Sequence, residues 1–451
     1  MRTPAIGYRL LATAVILPLS LVGTSTTAAG SSASTAPADD PAGSRAALVV
    51  DDRAAEAGLA AKAKTWSADG VDYNKDGEQD VWIGYHGRGG KLWRNNGDGI
   101  YRWVARAAWP ANNPDGKTID RHDCAWADVD RNGRKDAYCS TGRFIRNIVK
   151  DADRDNEMWM QSKRGRFHDV ARPRVLGDVC GRGRHVAFLK ANGDRWPDLF
   201  LGNGAQRKTA DECNGNPRLP NERGKIFINQ KGDGFKYVRD YWDYSAGAGN
   251  ACAEVLDFDG DGRDDLFACQ SPNQRPKLYR NNINQRRFVD VTVKQPELNQ
   301  GISDAEVRDL DADGDDDLVT SAVDGFYYQL NNDGTFGARV LVGPAPGGSG
   351  ISVDVGDADG DGHLDVYGMV FGTRTTNPDD VLYLNDGTQP PTFTPVEVPS
   401  AAGSAQQVVT LDPSAAGPRD AFLALNGFGR DIDPGKIQLL RMVRDVATAS
   451  P

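Results

Sequence analysis

The chain has 451 residues, and its 63 Asp and Glu outweigh 53 Lys and Arg to give a formal net charge of −10 at pH 7. That acidic balance, with no nucleic-acid-binding module in the sequence, excludes DNA or RNA as a partner. Past the N-terminus no apolar stretch approaches the roughly 20 residues that a membrane-crossing helix needs, so a transmembrane anchor is excluded too.

Residues 1–29 read as a cleaved signal peptide. Arg2 and Arg9 precede an apolar stretch from Leu10 to Val22, and small residues follow through Ala28 and Ala29. The expected destination is the cell exterior. Residues 30–47 are rich in Ser, Ala, Thr and Pro and read as a flexible linker. Ala46 to Val50 is then apolar, and an Ala-rich stretch runs on to Lys64, where a short helix is the competing local structure.

From there an acidic nonapeptide, D-x-[DN]-x-[DN]-G-x-x-D, is written out five times. The copies are Asp72, Asn74, Asp76, Gly77, Asp80; Asp128, Asp130, Asn132, Gly133, Asp136; Asp257, Asp259, Asp261, Gly262, Asp265; Asp309, Asp311, Asp313, Gly314, Asp317; and Asp357, Asp359, Asp361, Gly362, Asp365. Carboxylates at alternate positions repel one another unless a hard cation lies between them, and a Gly at the sixth place lets the backbone turn around that cation. Calcium is expected at these five sites, with Glu78, Arg134, Arg263, Asp315 and His363 at the seventh place contributing backbone carbonyls.

An EF-hand would add a bidentate Glu at the twelfth place and flanking helices. Ile83, Cys139, Ala268, Thr320 and Gly368 stand there instead, and the runs after the ninth Asp (DVWIGY, DAYCS, DLFAC, DLVTS, DVYGM) have strand character. The acidic loop therefore opens a strand. Two further copies are damaged: Lys190, Asn192, Asp194, Arg195 and Asp198 in one, and Asp412, Ser414, Ala416 and Asp420 in the other. Taking the ninth Asp as marker, the seven copies recur every 48 to 67 or so residues, a spacing suited to propeller blades with variable loops.

Each copy is preceded by one apolar run (CAWADV, HVAFL, AEVRDL) and followed by two more, such as KLWRNN then IYRWV, KIFINQ then FKYV, and FYYQLNN then FGARV. Four short strands per unit predict an all-β fold, a seven-bladed β-propeller with calcium loops between the first and second strands of each blade. The last unit stops after KIQLLRMV, so Ala46 to Val50 is expected to supply its missing outer strand. Trp93, Trp159, Phe227, Tyr279 and Tyr328 fall in third strands and are expected between blades.

From about residue 66 onward the chain resembles the FG-GAP or VCBS repeat proteins, relatives of the integrin α-subunit propellers. The likeness rests on D-x-D-x-D-G-x-x-D-[LV] coupled to L-Y-x-N-N-x-D-G-x-F, seen at Leu278 to Asn282 and Tyr328 to Phe336. It implies one domain over 48–451, with the calcium loops on one side of a disc and the second-to-third-strand and blade-to-blade loops on the other. Fold alone does not choose among adhesion modules, lectin-like proteins and domains attached to enzymes.

Cys124 and Cys139 flank the second loop and Cys252 and Cys269 the fourth intact one, at nearly equal offsets, so each pair is expected to bridge neighbouring strands. Cys180 and Cys213 then pair with each other, the alternative being free thiols. Disulfides suit an exported protein.

The longest loops run from Thr141 to Asn156 and from Asn203 to Gly224. About 24 of the Lys and Arg fall between residues 131 and 240, whereas residues 301–400 hold only Arg308, Arg339 and Arg374 against about 19 acidic residues. The ligand face is therefore expected at Trp109, Arg143, Arg146, Arg184, Arg207, Trp242 and Tyr244, for an extracellular glycan or protein bound by a monomer. The alternatives are a structural scaffold and a calcium-dependent, lyase-like polysaccharide enzyme. No nucleophile elbow, H-E-x-x-H or C-x-x-C is present, and His122 and His185, at the channel mouth, are the catalytic candidates.

Overall fold

The computed structural model describes residues 48–86, 88–106, 108–110, 120–142, 155–171, 176–178, 181, 183–204, 224–241, 252–269, 275–372, 376–400, 403–412, 419–427 and 435–444. Seven four-stranded antiparallel sheets form a ring. Their first strands are Thr65–Val71, Arg121–Ala127, Gly183–Leu189, Cys252–Leu256, Asp304–Arg308, Ser349–Gly356 and Gln407–Leu411, and each touches the next until the seventh returns to the first. Blades are numbered here in that order.

In blades 1 to 6 the second strand begins at the ninth-position Asp: Asp80, Asp136, Asp198, Asp265, Asp317 and Asp365. Each of these carboxylates is fully buried. One oxygen accepts an amide at the end of the third strand or just past it, as from Asn95 at 2.9 Å, Asn229 at 2.7 Å and Asn331 at 2.7 Å. In blades 1, 2, 5 and 6 the other accepts the second-position amide of its own loop, as from Tyr73 at 3.2 Å and Leu310 at 2.9 Å, and in blade 3 it accepts the third-position Asn192 amide at 3.2 Å. The Asp thus pins the loop to the sheet, which explains why blade 3 keeps Asp198 after losing other ligand positions.

Blade 7 departs from the sequence expectation by one residue. Leu411 pairs with Ala421, just as Val71 pairs with Asp80, so Ala421 and not Asp420 holds the ninth place. Asp420 stands where Gln79, Asp264 and Asp316 stand in their blades. Side chains at this eighth place accept the first-position amide of the preceding blade: Gln79 from Asp412 at 2.7 Å, Asp264 from Lys190 at 2.6 Å, Asp316 from Asp257 at 3.0 Å and Asp420 from Asp357 at 2.9 Å.

The blades pack through their third strands, where Trp159, Phe227, Tyr279 and Tyr328 are buried and Trp93 is partly so. In blade 5 the fourth strand is Val340–Pro344, later than the FGARV expected for it. Phe336 is buried beside the turn and bridges to Asn331, and Gly337 donates to the Leu330 carbonyl at 2.8 Å, so pairing restarts only past Arg339.

Leu48–Asp52 pairs antiparallel with Ile437–Arg444 and closes the ring, as expected for the apolar segment near Val50. Ala54, Ala57 and Leu59 follow in a turn rather than a helix and enter the core between blades 7 and 1. Cys124–Cys139 and Cys252–Cys269 are disulfides joining first and second strands, with Cα atoms 4.1 and 4.8 Å apart. Cys180 and Cys213 lie outside the described residues.

Candidate functional site: acidic loops, channel and histidine cluster

Each acidic loop is shaped by its own side chains. The first Asp accepts the amides of the fifth and sixth residues: Asp309 from Asp313 at 3.0 Å and Gly314 at 3.1 Å, and Asp257 from Asp261 at 3.0 Å and Gly262 at 2.7 Å. Gly77 adopts φ +91° with nothing near the place a Cβ would take, so its conformation, rather than crowding, demands glycine. Groups able to hold a metal converge at Asp128, Asp130 and Asp136; at Asp257, Asp259 and Asp265; at Asp309, Asp311 and Asp317; and at Asp357, Asp359 and Asp361, with candidate ligand atoms within 4.8 Å of one another. In the first loop Arg94 reaches Asp76 at 3.0 Å, and Asp72 accepts the Asp76 and Gly77 amides.

Several of these oxygens are buried without a hydrogen-bond partner, namely Oδ1 of Asp128, Asp259, Asp261 and Asp311 and Oδ2 of Asp265. Burial pushes Asp265 up to about 8, only partly offset by the Asn281 amide and reinforced by Asp259, Asp261 and Asp257. Asp317 is raised to about 6 in the same way. Unpartnered carboxylate oxygens crowded together are the donor set that a hard divalent cation satisfies, so the residues fit calcium.

Along the axis the first strands enclose a cavity of about 470 Å³. Alternation decides its lining: in Asp304–Arg308, Ala305 and Val307 turn into the blade while Glu306 and Arg308 face the axis. Asp69, Asp123, Glu254, Glu306 and Asp354 line it with Arg308 and His185. Desolvation raises Glu254 well above the usual carboxylate range, with Asp304 adding to the effect, and Glu306 likewise with Asp354.

At the end of the ring away from the acidic loops, residues near the starts of the first strands of blades 1 to 3 meet. The His122 ring is buried, stacked on Trp66 with centroids 4.0 Å apart. A Cβ on Gly142 would fall 1.9 Å from its Nε2, so glycine there makes room for the imidazole. Asp120 lies between two imidazoles, its Oδ1 3.2 Å from His86 Nδ1 and its Oδ2 3.3 Å from His122 Nε2. Burial would raise Asp120, but the contacts with His122 and His86 outweigh it and hold the carboxylate far below its usual range. Burial, then the Arg184 charge, lowers His122 to about 4. Arg184 contacts His122 Nδ1 and lies over Trp66, 5.3 Å from the ring.

Of the residues expected to meet a ligand, Arg184 is at this rim. Trp109 is not: it is 1 % exposed, packs against Trp126, Trp159 and Phe167, and donates to the Gly90 carbonyl at 3.1 Å. Its indole is large enough to fill the gap between blades 1 and 2, which is why it belongs to the core. Arg143, Arg146, Arg207, Trp242 and Tyr244 lie outside the described residues. His185 is half-buried in the channel, its Nδ1 3.4 Å from Asp123 Oδ2. His86, Trp66 and Asp120 were missed by sequence reasoning, because their proximity crosses a blade boundary.

Residues 72–139, 257–320 and 309–368 match the FG-GAP-like repeat family. No curated protein sequence matches this one. Similar solved structures include an Agrocybe aegerita lectin with specific recognition of non-reducing terminal N-acetylglucosamine, at 20 % identity over 74 % of this chain and 80 % of that one, with a TM-score of 0.49. Another is BBS1N in complex with ARL6DN, at 9 % identity over 89 % of this chain and 99 % of that one, with a TM-score of 0.47.

Proposed function

The chain is an FG-GAP repeat β-propeller protein, and from that premise we propose that it works outside the cell as a calcium-stabilised binding module for a glycan or protein ligand. The observation that carries this reading is the division of labour between the two ends of the blades. One end gathers the acidic loops, whose unpartnered carboxylate oxygens converge where a calcium ion would lie. The other gathers Trp66, His86 and Arg184, a cation and rings of the kind that receive an acidic or ring-shaped ligand.

Calcium would be held by Asp72, Asn74, Asp76 and Asp80 in the first blade and by their counterparts in blades 2, 4, 5 and 6. When bound it neutralises the repelling carboxylates and fixes the loops. The two disulfides support an oxidising compartment. Among the described residues no helix is long and apolar enough to cross a membrane.

A glycan array probed with the full chain, with and without chelator, tests the reading. Binding to acidic glycans that falls in Arg184→Ala but survives Asp313→Ala supports a ligand face opposite the calcium loops. Equal loss in both variants, with both still folded, would place the ligand on the calcium face and overturn that assignment. Absence of glycan binding leaves the protein-ligand arm, tested by crosslinking to the surface proteins of the producing cell; silence there as well refutes the binding module.

A further inference from the structure

Calcium loops take oxygen donors only, yet the opposite end of the ring holds a donor set of another kind. His86 follows the second strand of blade 1, and Asp120 and His122 flank the start of the first strand of blade 2. Their ligand atoms lie within 4.8 Å of one another. Metal–nitrogen and metal–oxygen bonds of about 2.0–2.2 Å at a tetrahedral centre space the donors roughly 3.4 Å apart. The separations of 3.2 Å from His86 Nδ1 to Asp120 Oδ1 and 3.3 Å from His122 Nε2 to Asp120 Oδ2 are close to that spacing, each imidazole facing a different oxygen of the carboxylate.

His122 supplies an independent pointer. Its side chain is 3 % exposed, and its buried Nε2 makes no well-formed hydrogen bond although Asp120 is near. Space for the ring is built in, since Gly142 cannot be replaced without striking that nitrogen. Two imidazoles and one carboxylate suit zinc and its transition-metal neighbours and suit calcium poorly.

We propose that His86, Asp120 and His122 form a site for a divalent transition metal of the zinc class, separate from the calcium loops. His86 is 34 % exposed on its side chain, so the fourth position opens toward solvent and can take water or a ligand oxygen. The site also assigns a role to Arg184. A guanidinium donating to Nδ1 of His122 leaves the proton on Nε2, whereas metal binding at Nε2 requires the proton on Nδ1. Arg184 must therefore turn away from the imidazole as the metal enters, and it opposes loading.

Zinc titration of the untagged full chain in saturating calcium, read by calorimetry and by the visible spectrum of the cobalt-substituted protein, tests this. One equivalent of zinc should bind. His86→Ala should weaken it by more than about 100-fold, beyond the loss expected for an outer partner. Asp120→Asn should weaken it as well, while Arg184→Gln should tighten it. His86 is partly exposed, so its variant should keep the parent melting temperature and the loss can be read as ligation. Failure of the parent to bind zinc, binding unchanged in His86→Ala, or weaker binding in Arg184→Gln would each overturn the proposal. None of these outcomes depends on whether a glycan binds.

Discussion

Asp357 and Asp420 tie blade 6 to blade 7 by exchanging two hydrogen bonds: the Asp357 amide donates to Asp420 Oδ2 at 2.9 Å, and the Asp420 amide donates to the Asp357 carbonyl at 2.8 Å. Asp357 is also the first residue of an acidic loop, so the joint between blades and the proposed cation site share a residue. Asp420→Ala should cost about 1–3 kcal/mol, the usual penalty for a buried donor left unmade. Denaturant unfolding in calcium measures this, and an unchanged midpoint would show that the exchange is unimportant.

The fifth and ninth places of the loop are expected to separate in their dependence on calcium. Asp198→Ala, in blade 3 with its damaged loop, loses the Asn192 and Asn229 amides and should destabilise equally with and without chelator, by about 1–3 kcal/mol for each amide left unpaired. Asp313→Ala should lower the melting temperature in calcium and change it little in chelator. Asp317→Ala should do harm in both conditions, because it removes a proposed ligand and the acceptor of two amides.

Ring closure should be sensitive to its plug. Leu59 is fully buried beside Leu411, Leu423 and Tyr101, and Leu59→Ala should cost about 2–5 kcal/mol. Deleting residues 30–60 removes the outer strand of blade 7 as well, and unchanged melting of that variant would sink the closure role.

Glu254 and Glu306 in the channel, with Asp304 close enough to act on them, set a pH dependence of defined sign. Burial raises Asp304 to about 6, and raises Glu254 and Glu306 further with help from neighbouring carboxylates, against the opposing charge of Arg308. A carboxyl raised in the folded state holds its proton there after the unfolded chain has lost it. Its contribution is therefore fully present below about pH 4 and is lost as pH rises through the folded value. Glu254→Gln should be more stable than the parent at pH 8 and nearly equal to it at pH 4. Taking the difference between the two proteins at each pH in saturating calcium isolates this effect from the loops, and a difference independent of pH would refute it.

What was legible in the sequence was what is local along the chain. The alternating carboxylates with a turning Gly, the β-branched run after each ninth Asp and the period-two first strands each write their structure within about ten residues, so blade count, strand order and the Cys124–Cys139 and Cys252–Cys269 bridges follow. The ring-closing strand was legible too, because a four-stranded unit lacking one strand has an edge to fill.

The tertiary structure alone decided whatever crosses a blade boundary. An unremarked eighth position became the joint between blades at Gln79, Asp264 and Asp316, and in blade 7 one extra residue moved Asp420 into that role. Trp109 left the expected surface for the core because a neighbouring blade offered a space that fits an indole. His86, Asp120 and His122 bear no motif, and their donors converge only because blade 1 packs against blade 2. Spacing along the chain fixes geometry over one turn or hairpin, while the distance between residues on separate sheets is set by how those sheets pack.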